Sequence, residues 1–181
     1  MYRVGVGYDI HPFAPLSEGR PLVLGGVTIP GGRGLQGHSD ADVLVHALCS
    51  ALLGAAGLGD LGLHFPDTDP RYRGISSLEL LRDSLAMAVE RGFEVVNVDA
   101  VVVAEEPKIA PHVEAMKGLL AAALGASPEE INIKGTRPEG LGALGRREGV
   151  ACHAVALLRR RKGARPPRAP LRRPGRGQGR P

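Results

Sequence analysis

Two short stretches hold most of the side chains in this chain that can bind a metal or move a proton. They are Tyr8-Asp9-Ile10-His11 and Gly37-His38-Ser39-Asp40-Ala41-Asp42-Val43-Leu44-Val45-His46. In an extended chain, residues two apart share a face, so Asp9 and His11 can close on one cation. If His46 joins them, one carboxylate and two imidazoles make a donor set for Zn²⁺ or a similar transition metal, with a fourth position left open. Each also has a plainer explanation: Asp9 as a turn residue beside a surface histidine, His46 as a hydrogen-bonded core histidine. Spacing alone does not bring the three together.

The elements that must position them can be read from periodicity and turn chemistry. Tyr2, Val4 and Val6 alternate as a strand that stops at Pro12, and Gly5 and Gly7 lack the third glycine and following helix of a dinucleotide fingerprint. Residues 22–24 and 27–29 flank Gly25-Gly26 as a hairpin. Ser39 and Asp42 have the spacing of a capping box, predicting a helix from about Asp40 to Ala56 whose first N–H groups face an anion, with His38 as a further donor. Along it Asp42, His46 and Ser50 form a polar stripe on an otherwise apolar surface, and Gly57 and Gly59 stop it. Residues 60–70 are a turn-rich, acidic loop suited to a lid or a surface connection.

Ser76 or Ser77 then caps a second helix with Leu78, Leu81, Leu85 and Val89 as its apolar stripe. A strand over 93–103, a helix from about Pro111 to Leu124, and strands over 131–136 and 150–158 complete the pattern. The order β, hairpin, α, α, β, α, β, β predicts an α+β two-layer sandwich, a mixed sheet with helices on one face.

The 181 residues carry a net charge of +4, but ten of the 23 basic residues fall after Leu158, where there is no acidic one. Positions 1–158 keep 13 basic against 19 acidic residues, net −6, so the body is acidic and suits divalent cations better than polyanions. Residues 159–181, rich in arginine, proline and glycine, read as a disordered tail beyond a single domain of 1–158. With no Trp, three Tyr and three Phe there is little to stack nucleic-acid bases on. Cys49 and Cys152 sit in apolar runs without metal-finger spacing and read as buried thiols. No stretch approaches the roughly 18 apolar residues of a membrane span, and no leader pattern opens the chain, which points to a cytoplasmic protein.

Several motifs occur in the order and spacing of one known family. They are Gly7-Tyr8-Asp9-Ile10-His11, the His38 to Asp42 run with His46, Gly59-Asp60-Leu61-Gly62, Phe65-Pro66-Asp67-Thr68-Asp69, Pro107-Lys108 and Gly145-Arg146-Arg147-Glu148-Gly149. Over about residues 2–158 the chain resembles the 2-C-methyl-D-erythritol 2,4-cyclodiphosphate synthases. The resemblance implies a homotrimer with active sites between subunits. Its substrate would be 4-diphosphocytidyl-2-C-methyl-D-erythritol 2-phosphate, cyclised with loss of CMP in non-mevalonate isoprenoid biosynthesis.

By the same resemblance Asp9, His11 and His46 hold Zn²⁺, and Glu139 helps hold Mg²⁺ or Mn²⁺ between the substrate's α- and β-phosphates. His38, Thr136 and Arg137 fall near the phosphates as catalytic residues, and Ser39 as a substrate-binding one. Asp60, Leu61 and Gly62 face the erythritol, and Phe65, Pro66, Asp67, Thr68 and Asp69 match a closing loop. Ala104, Pro107, Lys108, Ile109 and Ala110 match the cytidine pocket, and Arg146 a further substrate position. Arg137 stands where the family usually has threonine, and Ala143 where relatives often carry an aromatic ring. Two other readings use the same residues: a zinc phosphohydrolase that releases a linear phosphate, and a non-catalytic metal and nucleotide binding module holding an isoprenoid-like ligand.

Overall fold

Strand β1 (Tyr2–Pro12) explains its own glycines once α1 (Val43–Ala56) is laid across it. A Cβ on Gly5 would stand 2.0 Å from the Ala51 carbonyl oxygen, and one on Gly7 1.9 Å from that of Ala47. Both are far inside van der Waals contact, so only glycine lets the helix backbone rest on the strand. Twelve of the helix's 14 residues are buried, which is the pattern of a helix enclosed on all sides. β1 and β6 (Gly149–Arg160) lie under α1, and α3 (Ser77–Glu90) flanks it. The computed structural model describes residues 1–163; the rest of the basic tail lies outside the described residues.

The four-stranded sheet has the order β1-β6-β4-β5, with β4 (Phe93–Val103), β5 (Ile131–Thr136) and β6 (Gly149–Arg160). β4 and β5 run parallel and the other pairs antiparallel, so the sheet is mixed. Register stacks one buried row across all four strands, Gly5, Ala156, Val98 and Ile131, and a second, Gly7, Ala154, Ala100 and Ile133. These rows face α1, α3 and α4 (Val113–Leu124). On the opposite face Val4, Val6, Tyr8, Ile10 and Val155 are exposed. The expected α+β arrangement, with helices on one face of a mixed sheet, is what the backbone adopts.

β2 (Pro21–Leu24) and β3 (Val27–Arg33) form a separate hairpin. Its turn residues Gly25 and Gly26 have φ of 58° and 77°, the left-handed values a two-residue turn requires. The hairpin is tied to α1 by Asp42, whose fully buried carboxylate accepts the N–H groups of Gly25 (3.0 Å), Gly26 (2.7 Å) and Val45 (3.1 Å).

Asp42 is therefore the cap of α1, which corrects the capping box expected at Ser39. The helix opens at Val43 because an acidic side chain already inside the structure meets the first free N–H groups, and Ser39 is drawn elsewhere. Burial raises the Asp42 carboxyl to about 6, against the pull of its N–H donors.

Two further expectations shift by small amounts. The buried residues of α3 are Ser77, Leu80, Leu81, Ser84 and Ala88, while Leu78, Leu85 and Val89 are half-buried. The helix turns Leu80 and Leu81, with the small Ser77, Ser84 and Ala88, toward its neighbours and leaves Leu78, Leu85 and Val89 at the margin. Strand β6 runs on through Arg160, two residues past Leu158, because Arg159 and Arg160 pair in register with Glu94 and Phe93. Both cysteines are free and buried as read, and burial pushes the Cys49 thiol up to about 12.

Replacing Asp42 by alanine strips three N–H groups, two of them fully buried, of their acceptor. The Asp42→Ala variant should lose about 3 kcal/mol of stability in urea unfolding. A loss under about 0.5 kcal/mol, the size of an ordinary surface change, would show that the carboxylate does not hold the hairpin.

Candidate metal centre

At the C-terminal end of β1, Asp9 and His11 point to the same face, as their spacing requires, and α1 delivers His46 onto them from its first turn. His11 Nε2 lies 2.9 Å and His46 Nδ1 3.0 Å from Asp9 Oδ2, and the two ring nitrogens are 3.3 Å apart. Each residue has a donor atom within 4.8 Å of the other two, and among the described residues this is the one such group of three. The remaining ring nitrogens are occupied: His11 Nδ1 donates to the Gln36 carbonyl at 2.6 Å, and His46 Nε2 meets the Ser39 and Ser77 hydroxyls at 3.1 and 2.9 Å. Backbone and hydroxyl partners of this kind orient imidazoles toward a metal.

The electrostatics of the cluster follow from its closeness. Burial favours a neutral Asp9, but hydrogen bonds and charge from His11 and His46 outweigh it and hold the carboxyl at about 2. Burial likewise pulls His11 down, yet the Asp9 hydrogen bond and charge leave it above its ordinary value. An ionised carboxylate beside two imidazoles is a ready divalent-cation site once the imidazoles are neutral.

Around the triad the loop 37–40 is fixed by residues far away in sequence. Arg20 donates to the Gly37 and Ser39 carbonyls at 2.8 and 2.6 Å, and the Gly74 N–H donates to the His38 carbonyl at 2.8 Å. Arg20, His38, Ser39 and Arg73 line a cleft beside the triad. Anions entering it meet basic side chains rather than the N-terminus of α1, which Asp42 occupies.

The acidic loop lies along the same edge. Asp60 caps the short helix α2 (Leu61–His64) through the Leu63 N–H at 2.9 Å. Phe65 packs edge-on against Tyr72, and the half-buried carboxylate of Asp69 is bound by Arg71, which with the lesser influence of His38 lowers it. Pro66, Asp67 and Thr68 complete this surface segment.

A second group of expected residues gathers apart from the triad. Ala104, Pro107, Lys108, Ile109 and Ala110, with Thr136 and Arg137, line a cleft of about 210 Å³ at the ends of β4 and β5. Register places it at the same end of the sheet as the triad but on the other side of β6, about 10–14 Å away at two to three strand spacings. Arg137 donates through Nε to Glu105 at 3.1 Å, and Glu105 also accepts the Gly140 N–H at 2.7 Å. Between those anchors Glu139 is exposed with φ of 53°. Arg146 is exposed and held by Glu148 at 2.7 Å. Ala143, in the short helix α5 (Gly142–Gly145), is exposed.

Arg20, Gln36 and Ser77 do their work here without having carried a signal in the sequence as site residues, and Asp40, though inside the candidate stretch, gave no sign there of its bond to Ser77. Ser77 was readable only as a helix start, and Arg20 only as one more surface cation.

Fold and site together define an α+β protein, a four-stranded mixed sheet with a separate hairpin, that carries a two-histidine, one-carboxylate group able to hold a metal at one corner of the main sheet and a small cleft at the other. The YgbB family model matches residues 2–159, and the chain belongs to that family. It is 56% identical over 156 residues to the 2-C-methyl-D-erythritol 2,4-cyclodiphosphate synthase of Pseudomonas aeruginosa, covering 86% of this chain and 98% of that one.

It is also 61% identical over 159 residues to the bifunctional enzyme IspD/IspF of Anaeromyxobacter dehalogenans, covering 88% of this chain and 40% of that longer protein. Among solved structures, the bifunctional IspDF of Campylobacter jejuni superimposes with a TM-score of 0.84 at 42% identity, over 88% of this chain and 42% of that one. The CDP complex of Plasmodium falciparum IspF gives 0.77 at 32% identity, over 89% and 97%.

The protonation balance gives a pH test. Metal binding must displace the proton that Asp9 helps His11 retain. Apparent zinc affinity, measured by chelator competition, should therefore fall about tenfold per pH unit between pH 6.5 and 5. An affinity flat across that range would remove the imidazoles from the ligand set.

Proposed function

We propose that the protein converts 4-diphosphocytidyl-2-C-methyl-D-erythritol 2-phosphate to 2-C-methyl-D-erythritol 2,4-cyclodiphosphate and CMP, a lyase of non-mevalonate isoprenoid biosynthesis. The observation that carries this reading is the closed set of Asp9 Oδ2, His11 Nε2 and His46 Nδ1 beside a basic cleft. Zinc with bonds of about 2.0–2.1 Å holds tetrahedral ligands ~3.3 Å apart. The three atoms, 2.9 to 3.3 Å from one another, fit that set with little movement. Glu139, an exposed carboxylate, suits Mg²⁺, which takes one or two protein ligands and completes its shell with phosphate and water. When bound, the two cations supply charge neutralisation and polarise phosphate oxygens.

The chemistry asks little else of the protein. One oxygen of the 2-phosphate attacks the β-phosphorus, the bond from that phosphorus to the bridging oxygen breaks, and CMP leaves with the bridging oxygen. The nucleophile is already an anion, so no strong general base is required, and the difficulty is holding two polyanionic groups in line. His38 and Ser39 donate to the phosphates in the cleft lined by Arg20 and Arg73, and Thr136 does so at the second cleft. Asp60, Leu61 and Gly62 bound the erythritol, the segment from Phe65 to Asp69 shields it, and residues 104–110 with Lys108 hold cytosine and ribose. Arg137, steered by Glu105, places part of its guanidinium fork where a threonine hydroxyl would otherwise reach phosphate.

In this reading the enzyme is a homotrimer. The exposed apolar row Val4, Val6, Tyr8 and Ile10 on the open sheet face supplies the contact. One subunit's triad then faces the nucleotide cleft of its neighbour, which accounts for their separation within one chain.

An assay of CMP release with metal analysis tests the central point. His46→Ala should lose zinc and at least about 10²-fold in rate; full activity in a zinc-free variant would refute the metal assignment, and a linear phosphate product would favour a phosphohydrolase. Sharing of sites is tested by mixing. His46→Ala and Lys108→Ala, each weak alone, should regain activity when refolded together, and mixtures no better than either parent would place each site within one subunit.

A further inference from the structure

We propose that Ser77 is a positioning residue for the metal ligand His46, relaying its ring to Asp40. The inference rests on reading Asp9, His11 and His46 as a metal centre, and it concerns a residue outside that set, carried on a different helix. Ser77 is fully buried at the first position of α3. Its backbone N–H donates to Asp40 Oδ2 at 2.9 Å, and its hydroxyl makes a short hydrogen bond to Asp40 Oδ1. On its other side the same hydroxyl oxygen lies 2.9 Å from His46 Nε2.

Donor and acceptor roles along this line are forced. The Asp40 carboxylate already accepts the Ser77 N–H and also the Asp42 N–H at 3.2 Å, so the Ser77 hydroxyl spends its one proton on it. Toward His46 the hydroxyl then has only lone pairs to offer, and Nε2 must be the N–H of the ring. Nδ1 is left with its lone pair pointing at Asp9 and His11, the form a metal needs. Ser39 Oγ, slightly farther from Nε2 at 3.1 Å, also accepts the Ala41 N–H and borders the open cleft, so it reinforces the choice without setting it. Asp40 reaches this position because its own N–H is held by the Ile75 carbonyl at 3.1 Å, joining the loop before α1 to the start of α3. The N-terminus of α3 is thereby a fixed wall behind the imidazole, and the relay selects its tautomer and its rotation.

Zinc affinity by chelator competition, with melting of the metal-free forms, separates this role from a merely structural one. Ser77→Ala should bind zinc about 10–100-fold more weakly than wild type, and Ser77→Thr, which restores a hydroxyl, should return to within about threefold. If Ser77→Ala does not fold, Ser77→Cys keeps the size while weakening the hydrogen bonds and should show the same loss. A Ser77→Ala or Ser77→Cys protein that binds zinc as tightly as wild type, whatever its melting temperature, overturns the proposal. Wild type that binds no zinc overturns the metal reading along with it.

Discussion

With a side chain larger than hydrogen at positions 5 and 7 of β1, the helix that carries His46 could not lie where it does. The backbone of α1 rests on the strand through Gly5 against Ala51 and Gly7 against Ala47, and the alanines at 47, 51 and 55 keep that approach close along the helix. Two consequences come from this one contact. It drives a largely apolar helix into the centre of the fold, where its burial supplies much of the core. It also brings the first turn of α1 within hydrogen-bonding distance of the end of β1, so that Asp9, His11 and His46 meet. The triad is thus a product of backbone packing, with its three side chains at the point where strand and helix are pinned together.

A second constraint is electrostatic. A helix N-terminus attracts anions, yet here that place is taken by the protein's own Asp42, buried and bound to three N–H groups. The positive potential near the triad comes instead from side chains gathered around the loop before the helix. Arg20 both holds that loop by its carbonyls and lines the cleft beside it. An acidic body can in this way offer a local basic cleft to phosphates, with cations bridging the excess charge.

How much of this was legible in the sequence depended on whether the information was local. The same-face pairing of Asp9 and His11 follows from a period of two, and the glycine stop at Gly57 from left-handed geometry, so both could be read in advance. The hairpin at Gly25-Gly26 was legible for the same reason. Its attachment to Asp42 was not, because the partner lies on another element and the local spacing of Ser39 and Asp42 suggested a different cap. Gly5 and Gly7 were visible as glycines, but their reason, a helix backbone passing overhead, exists only in three dimensions. The grouping of residues 104–110, Lys108 among them, as a site came from family resemblance; periodicity held no trace of it. Ser77 was seen only as a helix start, since a hydroxyl's second neighbour is a matter of tertiary packing.

X-ray absorption at the zinc edge of the zinc-loaded protein measures directly which atoms surround the metal. Ligation by Asp9, His11 and His46 predicts two imidazole nitrogens at about 2.0–2.1 Å and carboxylate oxygen at about 2.0–2.2 Å, with the remaining position filled by a light, exchangeable ligand. Sulfur scattering near 2.3 Å, which would bring in Cys49 or Cys152, or a spectrum without two imidazoles, would contradict it.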